Sequence, residues 1–285
     1  MEKQESVFNL IKKRRSRRSY TGEPLTEEQI RIFKNFFMEN QRGPFLNKVR
    51  FSIVNQHGYS GTPVKLGTYG MIKGAVQFIA GAVHNDYLCY EDFGYAMEKN
   101  ILQAARMGLG TCWLGASFRK SSFAEAINLR HNEVIPAISP VGESVKDQTL
   151  RESAIRFFAA SKKRRAWKEL FFTSDNKMPI TPEAAGSYRD ALEAVRLGPS
   201  ASNRQPWRIV KDASKNQFDF FLKPSKQYGD PDNKFQLQHI DMGIAMCHFE
   251  LVSAEAGIKG KWQILEDREK IFPEALYIVS WIQTN

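Results

Sequence analysis

The clearest pattern of apolar and polar positions in the chain lies at residues 92–115. Apolar side chains recur there at helical spacing, at Phe93, Met97 and Ile101, and polar residues occupy only a narrow stripe between them. The pattern predicts a helix that begins with Asp92 as its N-cap and is buried on most sides. The sequence GTCWLG follows, and its glycines favour a turn whose backbone, rather than its side chains, faces a ligand.

This pattern occurs twice. Residues 241–262 repeat it at an offset of 149 positions, and eight of the 22 aligned positions are identical, glycine and tryptophan among them. The alternative is that two similar helices arose by chance. The shared glycine and tryptophan positions favour a duplicated unit instead. We therefore expect two central helices, at 92–109 and 241–258, that pack side by side. The second copy has lost the GTCWLG turn and has KGKWQI in its place.

The other elements follow from shorter patterns. Thr26 and Gln29 form a capping box that opens a helix, and Gly43-Pro44 ends it. The strand predicted over 134–141 contains two prolines, which favours an edge position or an irregular stretch. The remaining predictions are helices over 6–16, 123–129 and 181–198, a glycine-rich loop over 58–70, and strands over 49–54, 75–83, 207–210, 218–222 and 275–282.

Composition narrows the class of protein. With 285 residues and 42% hydrophobic content, the chain is long enough for one large domain or two small ones with a sizeable core. It contains no apolar run of about 18 residues, so no transmembrane helix is expected, and residues 1–15 lack the apolar core of a signal peptide. Cys89, Cys112 and Cys247 lack metal-binding spacing and suit free thiols in a reducing cytoplasm. We expect a cytoplasmic protein without a bound metal.

The net charge of +10 indicates an anionic partner or a solvated basic surface. RRSRRSY, at residues 14–20, brings four arginines and two serines together, and arginine holds phosphate bidentately. A solvated helix end and a nucleic-acid contact are the alternatives, although the run has few aromatic neighbours on which bases would stack. A second basic cluster at 162–168, within a connector over 145–174, is equally compatible with a surface helix and with a second phosphate contact.

A third stretch, GPSASNRQPWRIV at 198–210, predicts a rigid polar loop that leads into a strand. Pro199 and Pro206 fix φ, and Ser200, Asn203 and Gln205 supply polar side chains. Such a loop presents hydrogen-bonding groups in a fixed arrangement.

Taken together, RRSRRSY, GLGTCWLG and PSASNRQPW resemble the sequence signatures of the nitroreductase family, the flavin-dependent NAD(P)H oxidoreductases. In the family the PSxxNxQPW loop precedes the central helix, whereas here it follows the first copy of that helix. The chain is thus similar to internally duplicated nitroreductase-type proteins, in which one chain imitates the family homodimer. The resemblance implies an α+β fold with a mixed sheet and a buried central helix pair, as a single unit over 1–285 with pseudo-repeats at 1–165 and 166–285.

The resemblance also implies which residues bind the flavin. It places Arg14, Arg15 and Ser16 in the cofactor-binding arm near the phosphate, and Arg18 near flavin N1 and O2, where a cation stabilises the anion formed on reduction. The other implied contacts are the backbone of Leu114 and Gly115 near flavin N5, the late basic pair Lys163 and Arg165, and a covering loop with Pro199, Ser200, Ala201 and Asn203.

Each half has kept what the other has lost. GPFLNKVRF, at residues 43–51, stands in the first half where that half's own loop should be, and only Asn47 of the polar pattern remains. The second half lacks the arginine arm and the glycine turn. The resemblance therefore implies one FMN site per chain, between the halves, and a monomer, because the usual dimer interface is already internal.

By resemblance, the protein is an FMN-dependent oxidoreductase that takes hydride from NADH or NADPH and reduces nitroaromatic, quinone or similar electron-poor acceptors by a ping-pong mechanism. FMN is favoured over FAD because the sequence contains no GxGxxG dinucleotide motif. The flavin supplies the chemistry, so no catalytic side chain is required. The alternatives are a non-catalytic flavin-binding protein, such as a sensor or storage protein, and a nucleic-acid-binding protein that uses the basic runs. We expect neither a nucleic-acid nor a membrane partner.

Overall fold

The computed structural model describes residues 5–56, 66–145, 163–175, 177–212, 214–225, 235–268, 272 and 274–284. The chain divides into two compact units. Lys13–Arg151 forms the first, which we call the arm unit because it contains the arginine run. Met1–Lys12 and Glu152–Asn285 form the second, which we call the loop unit because it contains PSASNRQPW. The proposed pseudo-repeat boundary at 165/166 stays a prediction.

The helices and strands follow the order expected of a duplicated α+β chain. In chain order they are α1 (Val7–Lys13), α2 (Glu27–Glu39), β1 (Val49–Asn55), β2 (Gln77–His84), α3 (Cys89–Arg106), β3 (Gly110–Thr111), α4 (Lys120–Ala126), β4 (Glu133–Val134), β5 (Ile138–Gly142), β6 (Phe171–Thr173), α5 (Arg189–Leu197), β7 (Trp207–Asp212), β8 (Gln217–Leu222), α6 (Phe235–Glu255), β9 (Gly260–Gln263) and β10 (Leu276–Gln283).

Each unit has its own five-stranded sheet. The order is β1-β2-β5-β3 in the arm unit, with β4 also paired to β2, and β6-β7-β8-β10-β9 in the loop unit. The arm-unit pairs are antiparallel, and β6 makes the loop-unit sheet mixed because it runs parallel to β7. In both units an antiparallel pair precedes a long helix, and two strands after that helix, β3 and β5 or β9 and β10, extend the sheet in the same order. The predicted α+β fold with two pseudo-repeats is therefore confirmed, with two sheets.

The two central helices are α3 and α6. Helix α3 is buried on nearly every side, as its apolar pattern predicts. It begins at Cys89 rather than at Asp92, because Leu88 in the left-handed region at φ 57° precedes the first turn. Asp92 is therefore not the N-cap, and its fully buried carboxylate is available for contacts outside the helix.

Local sequence signals fix several of the shorter elements. The capping box of α2 is present, because Gln29 N–H donates to Thr26 Oγ1 at 3.2 Å and Thr26 N–H donates to Gln29 Oε1 at 2.9 Å. The stretch predicted over 134–141 is irregular and divided into β4 and β5, since proline at 136 cannot donate to the ladder. The predicted edge position is wrong, because β5 lies between β2 and β3. Most of the predicted loop at 58–70 and of the connector at 145–174 lies outside the described residues.

Helix α1 belongs to the loop unit although it is encoded before the arm unit. Val7 N–H donates to Glu255 Oε1 at 2.8 Å, and Phe8 N–H donates to the other carboxylate oxygen at 3.4 Å. Leu10 and Ile11 on its apolar side are buried. Immediately after α1, Arg17 N–H donates to Thr111 O in the arm unit at 2.8 Å. The chain thus crosses from one unit to the other between residues 12 and 13.

Aromatic side chains fill the centre of the loop unit. Phe249 of α6 is fully buried, with its ring centroid 5.1 Å from Phe218, 5.3 Å from Phe220, 5.5 Å from Tyr188 and 5.7 Å from Trp281. These spacings are typical of favourable aromatic pairs. The cluster joins α6 to the β8 and β10 strands of the sheet. Among the helices that the structure describes, none has the length and apolar character needed to cross a membrane.

Candidate functional site

The arginine run lies along the glycine turn in the arm unit. Ser16 pairs with Thr111 of β3 in a parallel bridge, and further on Lys73 N–H donates to Arg18 O at 2.8 Å. Gly110 permits this close approach, because a Cβ there would lie 2.9 Å from Ser144 Cβ and 3.1 Å from Arg17 Cβ. The two motifs are separated by about ninety residues in sequence and are adjacent in the fold.

The GTCWLG turn is held by the neighbouring strand. Leu114 N–H donates to Ile138 O at 2.9 Å, and Ile138 N–H donates back to Leu114 O at 3.0 Å. Cys112 N–H donates to Ser139 Oγ at 3.0 Å. Both backbone polar groups of Leu114, its N–H and its C=O, are therefore used in hydrogen bonds to Ile138. Gly115 follows directly in the chain.

Positive charge converges on the buried Cys112 thiol. Burial raises the pKa of Cys112, and the charges of Arg18 and Arg14 together with a hydrogen bond from Ser16 only partly oppose that rise. The thiol is thus protonated near neutral pH and is a poor nucleophile. The arrangement suits an anion better than it suits cysteine chemistry.

Arg14 carries an unsatisfied donor. Its Nη1 atom is buried and has no hydrogen-bond partner among the residues that the structure describes. A buried charged donor left in this way costs more than the roughly 1–3 kcal/mol of a neutral group. Together with the Ser16 hydroxyl and the Arg18 guanidinium, it forms a donor set that fits an anionic group such as phosphate.

The PSASN loop is fixed inside the loop unit by a buried carboxylate. Ala201 N–H donates to Asp241 Oδ1 at 2.9 Å and to Oδ2 at 3.1 Å. Ser202 and Asn203 have φ values of 47° and 55°, in the left-handed region that costs energy for residues other than glycine. Asp241 is the residue that holds this strained loop on α6.

The basic segment before β6 also holds the loop. Asn203 Nδ2 donates to Lys163 O at 2.8 Å, and Arg164 Nη1 donates to Asn203 Oδ1 at 2.7 Å. Arg165 N–H donates to Gln205 Oε1 at 2.8 Å. The structure therefore brings the predicted pair Lys163 and Arg165 to the predicted loop, and it uses the side chain of Asn203 within the loop unit.

The arm unit contains a second copy of the Asp241 arrangement. Asp92 accepts from Phe45 N–H at 2.9 Å and from Asn47 N–H at 2.8 Å, and Asn47 Nδ2 also donates to it at 3.0 Å. Gly43 is required beside it, because a Cβ there would lie 2.1 Å from Asp92 Oδ1. Burial raises the pKa of Asp92 to about 6 and that of Asp241 well above its ordinary value.

Comparison with known proteins agrees with the motifs. A family model described as "Putative TM nitroreductase" matches residues 6–253. The chain belongs to this nitroreductase family. Membership supports an oxidoreductase, and no protein with a curated description matches the sequence.

A solved structure over nearly the whole chain has the same fold, and other nitroreductase-family structures match about half of the chain. A Thermotoga maritima protein described as a "putative nitroreductase" matches with a TM-score of 0.61 and 18% identity, over 99% of this chain and 95% of that chain. A nitroreductase family protein of Clostridium novyi matches 50% of this chain and 89% of its own, at 18% identity and a TM-score of 0.38. An FMN-dependent nitroreductase of Clostridium difficile matches 50% of this chain and 91% of its own, at 19% identity and a TM-score of 0.37.

In this member of the nitroreductase family the candidate residues form two groups, one in each unit. Arg14, Ser16, Arg18, Leu114 and Gly115 lie together in the arm unit. The exposed Arg15 donates from Nη1 to the carbonyl of its neighbour Arg14 at 2.8 Å. The loop unit brings together the late basic pair and the covering loop, namely Lys163, Arg165, Pro199, Ser200, Ala201 and Asn203.

Sequence reasoning missed Asp241 and Arg164, which hold the loop without belonging to a recognised motif. Asp241 carried a usable signal, because it is one of the positions identical between the two repeats. Arg164 is one of four consecutive basic residues, and nothing in such a run distinguishes the arginine that reaches Asn203 from its neighbours.

Proposed function

We propose that this protein is an FMN-dependent oxidoreductase that takes hydride from NADH or NADPH and reduces nitroaromatic, quinone or similar electron-poor acceptors by a ping-pong mechanism. Family membership supports the oxidoreductase class. The observation that carries the proposal is the buried, unsatisfied Nη1 atom of Arg14 beside the glycine turn. An anionic cofactor group would supply the missing acceptor.

The arm residues have distinct roles in this proposal. Arg14 and Ser16 donate hydrogen bonds to the cofactor phosphate, with Arg15 adding positive charge from the surface. Arg18 places a cation near the pyrimidine side of the flavin, where negative charge develops on reduction. When bound, the flavin supplies the hydride-accepting and hydride-donating chemistry.

The turn contributes backbone groups rather than side chains. Leu114 N–H already donates to Ile138 O at 2.9 Å. We therefore assign to the N–H of Gly115 the role of facing flavin N5, and Leu114 positions it. A glycine at 115 also keeps this approach free of a side chain.

The resemblance implies that the loop of Pro199, Ser200, Ala201 and Asn203 covers the same flavin, once per chain. The Asn203 amide is already bonded to Lys163 O and Arg164, so it acts by fixing the shape of the loop. A cytoplasmic monomer remains part of the proposal, and sedimentation tests the solution mass against 32.6 kDa per chain.

One experiment tests cofactor and reaction together. The purified protein, reconstituted with FMN, is expected to show the flavin absorbance bands and to lose them under anaerobic NADH or NADPH. Initial rates with a nitroaromatic or quinone acceptor are then expected to give parallel double-reciprocal lines. Absence of bound flavin after reconstitution would overturn the proposal. Flavin that binds but stays oxidised would favour the non-catalytic flavin protein, and salt-dependent DNA retention by flavin-free protein would favour nucleic-acid binding.

The two loops allow a matched test of asymmetry. Asn203→Ala is expected to weaken FMN binding about fivefold, because the covering loop loses the bonds of Asn203 to Lys163 O and Arg164, at a cost of about 1 kcal/mol to binding. Asn47→Ala is the control, since Asn47 bonds to Asp92 and Tyr87 O in the arm unit's own loop and has no proposed contact with FMN. Fluorescence titration measures both affinities. Equal losses, or two FMN per chain, would contradict specialised halves.

A further inference from the structure

A second concentration of positive charge lies within the loop unit, apart from the arginine arm. A pocket of about 260 Å³, which we call the basic pocket, opens where β7 begins and β8 ends. Its lining consists of four cations, two prolines and a serine, namely Arg165, Arg204, Arg208, Lys223, Pro206, Pro224 and Ser225.

Arg208 is the most deeply placed of these cations. Its side chain is more than nine-tenths buried, and Nη1 donates to the carbonyls of Trp207 at 2.7 Å and Gln205 at 3.1 Å. Burial, and to a smaller extent the charge of Arg165, lowers the pKa of Arg208 to about 10. Burying a guanidinium beside another cation is costly unless an anion is present to offset it.

Arg204 supplies a second indication. Its Nε atom is buried and has no hydrogen-bond partner in the part of the chain that the structure describes. Arg204 also follows the strained residues Ser202 and Asn203, whose loop is held by Asp241. The loop that carries this donor is thus fixed in place before any ligand binds.

The arm unit has an arginine with a purely structural role, Arg50, at the strand position that corresponds to Arg208. Arg50 is the second residue of β1, as Arg208 is the second residue of β7. Arg50 donates from Nε and Nη2 to the two oxygens of Glu133 at 2.9 and 2.6 Å, and its other donors reach Ile127 O and Asn128 O. One repeat therefore neutralises its arginine with a carboxylate, whereas Arg208 has only carbonyls as hydrogen-bond partners among the described residues.

Two of the pocket's cations are paired with exposed carboxylates. Glu169 pairs with Arg165 at 3.0 Å and Glu274 pairs with Lys223, and both carboxylates are substantially exposed. Such exposed pairs contribute at most about 1 kcal/mol, so an incoming anion competes with them easily. Ser225 adds a hydroxyl whose oxygen accepts from Gln238 Nε2 at 3.2 Å, which leaves its own proton available to a ligand.

We propose that the basic pocket binds a phosphate dianion, with Arg204 and Arg208 as its principal donors and Arg165, Lys223 and Ser225 at its mouth. The volume is slightly below the roughly 300–1,000 Å³ of pockets that enclose a drug-sized molecule. It therefore admits a phosphate group rather than a whole nucleotide. The phosphate is either a free ion or the phosphate of a small molecule whose remainder stays outside. The basic pocket shares Arg165 with the late basic pair that the resemblance assigns to the flavin, and its other lining residues are additional to the proposed flavin contacts.

Calorimetric titration of the full-length, FMN-loaded protein at constant ionic strength tests the site with inorganic phosphate. Arg204→Gln is expected to weaken phosphate binding about tenfold or more, as loss of a charge-assisted hydrogen bond requires. Lys223→Gln, at a more exposed position, is expected to weaken it severalfold without affecting folding. Arg189→Gln removes the same charge from an exposed position of the loop unit and is expected to change nothing. Absence of phosphate binding, or equal weakening in all three variants, would overturn the proposal.

Two further measurements distinguish a free phosphate ion from a nucleotide-borne phosphate, and the basic pocket from the arginine arm. Pocket-dependent binding of adenosine 2′-monophosphate that is tighter than that of inorganic phosphate would identify a nucleotide-borne phosphate; equal affinities would identify the free ion. Arg14→Gln is expected to lower the flavin content and to leave the phosphate affinity of the basic pocket unchanged. If Arg14→Gln abolishes binding and Arg204→Gln does not, the phosphate lies at the arm and the basic pocket is not the site. Flavin content measured on the same samples tests the proposed function separately.

Discussion

Replacement of Arg14 and Arg18 together by alanine is expected to weaken FMN binding by about 10²–10⁴-fold. Charge-assisted hydrogen bonds contribute roughly 1.5–3 kcal/mol each, and about 1.4 kcal/mol corresponds to a tenfold change in affinity. The structure makes Arg14 the stronger contributor, because its buried Nη1 atom has no hydrogen-bond partner among the described residues and gains an acceptor when a phosphate binds. Equilibrium dialysis with FMN measures the change.

The double replacement also removes two positive charges, which alone lowers the affinity for an anion. Arg31→Ala combined with Arg130→Ala removes the same charge from exposed positions of the arm unit. This control is expected to change FMN affinity by less than about twofold at physiological salt, where charges separated by more than about 8 Å are screened. Similar losses in both double variants would show that the arm acts only through net charge.

Phe249→Ala is expected to lower the free energy of unfolding by about 3–5 kcal/mol, the range for deletion of a buried aromatic side chain. The ring lies 5.1–5.7 Å from those of Phe218, Phe220, Tyr188 and Trp281, so the deletion leaves a cavity surrounded by rigid rings. Aromatic pairs are worth about 0.5–1.5 kcal/mol beyond their buried area. Urea denaturation followed by tryptophan fluorescence suits this test, because four of the five tryptophans belong to the loop unit.

Two replacements calibrate this prediction. Phe249→Leu keeps much of the volume and is expected to cost less than half as much. Tyr87→Ala removes an aromatic ring that is 77% exposed and is expected to stay within about 0.5 kcal/mol of the parent protein. A loss for Phe249→Ala no larger than that for Tyr87→Ala would show that the ring cluster does not stabilise the loop unit.

The spacing of apolar residues predicted the long helices and strands, because a buried face leaves a repeating pattern within a short stretch of sequence. The same spacing did not predict where each helix begins, because the backbone conformation of the flanking residues sets that position. Asp92 has the composition of an N-cap, yet Leu88 takes the left-handed conformation and α3 starts at Cys89. The aspartate then lies inside the helix and binds the loop of Phe45 and Asn47. Nothing in the residues around position 92 announces a partner 45 positions earlier.

The candidate site was predictable to the extent that it consists of short contiguous motifs. RRSRRSY and GTCWLG were both recognisable, and the fold places them beside each other. The basic pocket was not predictable, since Arg165 and Lys223 are far apart in sequence and line one pocket only in the folded chain, beside the paired strands β7 and β8. The sequence does not show which of its many arginines will be buried next to another cation, nor which buried arginine will have no carboxylate as a hydrogen-bond partner.

Helix α1 changes how the two units are joined. The backbone crosses between them twice, between residues 12 and 13 and between residues 151 and 152. A protease that cuts only the second crossing leaves fragments 1–151 and 152–285. The first fragment still carries α1, whose N–H groups bind Glu255 on the second and whose Leu10 and Ile11 are buried. The two fragments of the nicked protein are therefore still held together by the contacts of α1. The 152–285 fragment made alone lacks residues 1–12, which belong to its own unit.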